Sequence, residues 1–133
     1  MKKNWFSSPK NNIASSENIF ILMQGHIDDV TFQNLVKTLE DDLILNLRDI
    51  YNKIKKETYE IEQMIVNRNM ERVAVKASIV KSMSSAYGIK TLCLIFGDIE
   101  KEANLLTCEP IKILEKSRKA LNLINEYIRI LGD

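Results

Sequence analysis

From Asp29 to the C-terminus, apolar residues recur every three or four positions, and no stretch alternates apolar with polar. That periodicity restricts the chain to helices. Residues at i, i+3, i+4 and i+7 share one face of an α-helix but fall on both faces of a strand. Phe32, Leu35, Val36 and Leu39 form a first short stripe, with Asp29 as its N-cap. Asp41 and Asp42 open a long helix with the stripe Leu43, Leu47, Ile50, Ile54, Ile61 and Ile65. Asn67-Arg68-Asn69 breaks it, and Met70 to Tyr87 follows, stopped by Gly88, a residue that takes positive φ without strain. Leu92, Ile95, Ile99 and Ala103 mark the next helix. Pro110, a good first-turn residue, opens the last one, with Leu114, Leu121, Ile124, Ile128 and Leu131. The expected fold is all-α: an antiparallel four-helix bundle with one short additional N-terminal helix, Asp29 to Leu39.

With 133 residues the chain suits one domain with one core. Residues 1–26 read as a flexible N-terminal arm and 27–133 as the bundle. Within the arm, residues 1–18 are rich in Ser, Asn and Lys, and Trp5 and Phe6 stand out as aromatic residues with no stripe. Ile19 to Met23, before Gly25, reads equally as an extended run or a packing segment. That run is too short for a signal core or a membrane span, so the protein is expected to be cytoplasmic and off the membrane.

A net charge of +1 argues against nucleic acid, and the Lys53, Lys55 and Lys56 run is offset by Glu57 and Glu60. Cys93 and Cys108 fall in different segments and read as free thiols. One histidine and two separated cysteines make no zinc site, and no glycine-rich phosphate loop is present; no metal or cofactor is expected. Asp28-Asp29, Asp41-Asp42 and the carboxylates from Glu57 to Glu62 suit helix starts or a solvated face.

The segment from Met70 is unusual. Val73, Ala77, Val80, Ser84 and Tyr87 make a core stripe. Ser78, Lys81, Ser82 and Ser85, spaced by three, four and seven, make one continuous face that is small and polar. Solvated helices usually carry Glu, Lys, Arg and Gln instead. Serines in register leave a shallow surface where another protein can approach the backbone. A Ser-rich solvent face is the plain alternative.

The segment Ala77-Ser78-Ile79-Val80-Lys81-Ser82, with Gly88 ten residues after Ser78, resembles the acceptor helix of histidine phosphotransfer (HPt) domains. There an Ala-His-x-Leu-Lys-Gly-Ser-like segment precedes a helix-ending glycine. Leu92, Ile95 and Ile99-Glu100 resemble the following helix, and Ile27-Asp28 to Leu39 resembles the family's entry. The similarity covers roughly residues 27–104.

The departure is Ser78 at the histidine position. Phosphorelay needs an imidazole nitrogen, whereas a serine hydroxyl without an adjacent base is a weak nucleophile, and its phosphate ester is not readily passed on. The resemblance therefore implies no enzyme and no phosphotransfer. It implies a module that binds the receiver domain of a response regulator, or a histidine kinase, through Lys81, Ser82 and Ser85 around Ser78. Lys81 reads either as a cation kept for an acidic pocket or as a solvated lysine, and Glu100 as its ion-pair partner. Gly97 marks a close helix–helix approach. His26 reads as an ordinary loop residue, remote from the motif. A helical adaptor or chaperone-like protein with an unrelated partner is the alternative function.

Overall fold

The computed structural model describes residues 16–132, and all regular structure among them is helical. The elements are α1 (Ser16–Leu22), α2 (Asp29–Leu39), a 3-10 turn (Glu40–Asp42), α3 (Leu43–Val66), α4 (Met70–Ala86), α5 (Lys90–Ala103) and α6 (Pro110–Ile130). α3 packs on α4, α4 on α5, α5 on α6, and α6 closes on α3, so these four form a bundle with α2 laid against α3. Side-chain contacts fix the direction of the closing pair. Arg48, near the start of α3, donates to the Leu131 carbonyl at 3.0 Å, just past the end of α6. Glu62, near the end of α3, lies 3.8 Å from Arg118 in the first half of α6. α3 and α6 are therefore antiparallel, and the short connections reverse the chain at every other step.

The stripes read from the sequence are the core. Phe32, Leu43, Leu47, Ile54, Ile61, Val73, Val80, Leu92, Ile99 and Ile124 are all buried. Removing such side chains from water is the main force holding the helices together.

Four expectations change. The arm does not extend to residue 26. Ile19 and Met23 are completely buried, on α1 and just after it, and the Tyr51 hydroxyl donates to the Met23 sulfur at 3.3 Å. Two short helices, not one, therefore precede the bundle; Trp5 and Phe6 lie outside the described residues. The cap of α2 is Asp28 rather than Asp29: its carboxylate accepts from the Thr31 hydroxyl and amide, which hold it below the usual carboxylate range. Asp41 and Asp42 lie in the 3-10 turn, because Glu40 at φ +47 redirects the chain before α3 begins. Finally, Glu57 and Glu60 are not on a purely solvated face. Lys76 of α4 reaches both, at 2.9 and 3.0 Å, tying α3 to α4.

α4 ends as the glycine signal implies. Gly88 takes φ +68, its amide donates to the Ser85 carbonyl, and Ile89 donates to Ser84. Tyr87, the C-cap residue, ends the core stripe partly buried and packed against the core. The segment before α2 is fastened to this turn: the Asp28 amide donates to the Gly88 carbonyl at 2.7 Å and the Thr91 amide to the His26 carbonyl at 3.2 Å. A Cβ on Gly88 would stand 2.9 Å from the Thr31 Cβ, so space and backbone conformation both require glycine.

Candidate functional site

α4 holds the residues singled out above. Val73, Ala77, Val80 and Ser84 turn inward and are buried, and the buried Ser84 hydroxyl donates to the Val80 carbonyl at 2.9 Å. Ser82 and Ser85 are exposed. Ser78 is half-exposed, less open than Ser82 and Ser85. It lies on the α5 flank of the face, one turn after Ala74, which is buried.

Lys81 sits on the same flank. Its stem crosses α5 where Gly97 has no side chain; a Cβ there would lie 3.4 Å from the Lys81 Cδ. What approaches Gly97 closely is thus the lysine stem rather than a helix backbone. The Lys81 ammonium stands 3.5 Å from the Glu100 carboxylate. The lysine is a positioned cation, with its apolar stem packed and its side chain 45% exposed. Ser78, Lys81, Ser82 and Ser85 therefore do share one side of α4, with Lys81 drawn toward α5.

The sequence reading missed two members of this surface. Val75 and Ile79 are 60% and 50% exposed. With Met64, Asn69, Glu71, Arg72 and Lys76 they line a groove of about 470 Å³ between α3 and α4. A signal for them was present, since Val75, Ile79 and Ser82 follow the same four-then-three spacing as the serines. The face is a small polar strip beside an apolar one, not a uniformly polar surface.

His26 belongs elsewhere. It is half-buried, its Nδ1 is 3.1 Å from the Tyr127 hydroxyl, and the two rings meet edge to face at 5.6 Å. Burial pushes the Tyr127 phenol up to about 12, so it remains a proton donor across the physiological range. His26 lies beside Thr91, which is separated from Gly97, opposite Lys81, by roughly 9 Å of helix rise. Ser78 is a further turn away in the same direction. No imidazole is thereby placed to activate the Ser78 hydroxyl, and the Lys81–Glu100 pair offers no base committed to it.

Among the described residues, no group of three or more His, Cys, Asp or Glu side chains is arranged to hold a metal ion. Cys93 and Cys108 are free thiols. No helix among them is long and apolar enough to cross a membrane. Comparison with protein-family models, curated proteins and solved structures finds no match to this chain.

Proposed function

We propose that the chain is a docking module of two-component signalling, an HPt-like bundle in which Ser78 stands at the phospho-acceptor position. In this reading it is cytoplasmic, binds the receiver domain of a response regulator or a histidine kinase, and carries no phosphoryl group. The observation that carries the proposal is the outer surface of α4. Ser82 and Ser85 allow close approach, Val75 and Ile79 supply apolar contact area, and Lys81 is anchored between Gly97 and Glu100. A small, flat, partly apolar strip with a fixed cation suits a partner that brings an apolar helix and an acidic pocket.

The test is titration calorimetry against receivers and kinases of the source cell, with circular dichroism as a folding check. Lys81→Glu is expected to weaken binding, and Ser82→Arg to weaken it further by blocking close approach, each on the order of 1–3 kcal/mol. Incubation of the wild-type chain with labelled phospho-donors should leave it unlabelled, whereas Ser78→His should gain acid-labile label. Folded variants that bind a receiver as tightly as the wild type would remove this face from the interface. If no receiver or kinase binds, a helical adaptor using the Val75–Ile79 groove for an unrelated partner becomes the better reading.

A further inference from the structure

The end of the bundle opposite the Gly88 turn carries an apolar surface that α4's outer face does not use. α3 and α5 end there, and α4 and α6 begin. Val66, Leu105, Leu106 and Ile111 stand in solvent at this end, and Leu106 is fully exposed. The connection bearing the two leucines is a compact turn. Leu105 donates to the Glu102 carbonyl at 3.1 Å, Cys108 to the Leu105 carbonyl at 3.2 Å, and the Glu109 amide to the Glu102 carboxylate at 3.5 Å.

The first turn of α6, which continues that connection, forms one wall of a groove of about 140 Å³ lined by Ile65, Val66, Arg68, Pro110, Ile111 and Leu114. An apolar cavity of about 150 Å³ admits a benzene ring, so this one has room for a single branched aliphatic side chain. Arg68 stands on its rim with no ion-pair partner among the described residues, and at φ +59, a conformation that most residues with a side chain avoid. Glu102 and Glu109 flank the leucine turn; Glu109 is paired with Lys112 at 3.3 Å, which leaves Glu102 as the carboxylate there with no ion pair among the described residues. One end of the molecule thus presents an apolar projection with one acidic shoulder, Glu102, and an apolar socket with a basic rim. A surface carrying both halves is complementary to itself, and a two-fold axis satisfies both at once. The chain's net charge of +1 opposes such pairing little.

We infer that this end is a homodimer interface, with Leu106 of one copy seated in the groove of the other and Arg68 facing the partner's Glu102. The inference stands apart from the signalling proposal, since the contact lies at the far end of α4 from Lys81, Ser82 and Ser85.

Sedimentation equilibrium of the full chain across a concentration series tests it. The wild type should show a reversible monomer–dimer equilibrium. Leu106→Asp and Ile111→Lys, both at exposed positions, should each weaken the dimer about tenfold or more, with unchanged circular dichroism. Arg68→Glu should weaken it too, and Arg68→Glu combined with Glu102→Arg should restore part of the loss. A wild type that stays monomeric up to about 1 mM overturns the inference. A dimer indifferent to both apolar changes overturns it equally, by placing the contact elsewhere. Capture of a different protein by this end, with no self-association, would assign the surface to that protein instead.

Discussion

Two turns reverse the chain around α4, and both place one residue in the left-handed region: Arg68 before the helix at φ +59 and Gly88 after it at φ +68. The backbone demand is nearly the same, but the surroundings differ. At Gly88 the turn is pressed against α2, with the Thr31 side chain where a Cβ would be and the Asp28 amide bonded to its carbonyl. At Arg68 the turn is open to solvent. A left-handed residue therefore has two separable costs, one set by its own φ and one by its neighbours, and only at position 88 are both imposed. Glycine is required there; at 68 an arginine bears the conformational cost alone.

Substitutions at the two turns separate those costs. Gly88→Ala should be the most damaging, losing about 3 kcal/mol through left-handed strain plus the clash with Thr31, read as a fall in the chemical-denaturation midpoint. Gly88→Asn should recover less than half of that loss, because asparagine tolerates the conformation but still carries the Cβ. If Asn restored full stability, the clash would not be the dominant cost. Arg68→Asn should do the opposite and stabilise the monomer by about 0.5–1 kcal/mol, while weakening self-association.

The smallest expected effect concerns the pairing of α4 with α3. Lys76 holds the Glu60 carboxyl below its usual range, and Glu57 and Glu60 together raise the Lys76 ammonium. A depressed carboxyl contributes stability that is present above its unfolded value and lost as pH falls through the folded one. A raised lysine contributes stability that is present below its unfolded value and lost as pH rises through the folded one. Lys76→Met should therefore flatten part of the melting-temperature profile between about pH 5 and 3. It should also remove a loss above the ordinary lysine range. An unchanged acid limb would mean the contact is screened in solution.

The inward side of α4 was legible because Val73, Ala77, Val80, Ser84 and Tyr87 repeat at helical spacing over about four turns, and the helix stop was legible because glycine followed it. α1 was not: Ile19 and Met23 make one pair across a single turn, too little to show a period. The positive φ of Glu40 and Arg68 leaves no mark in residue type. Lys76's partners lie 16 and 19 residues away across a helix interface, beyond any local pattern. At the candidate site, the serines drew attention as polar residues in an unusual row. Val75 and Ile79 share that spacing, but apolar residue type points toward a core, and only the packing of the neighbouring helices leaves them exposed.

The hydrogen bond from Asp28 to Gly88 joins points sixty residues apart in the chain. It can form only after α3 and α4 have turned back on themselves, so closing it belongs to the late part of folding, after the loop entropy has been lost. The Asp28 amide should then exchange its proton with solvent whenever α2 lifts from the α4–α5 turn, without waiting for the bundle to unfold. Its exchange rate in deuterated water would measure that local opening separately from the stability of the four long helices.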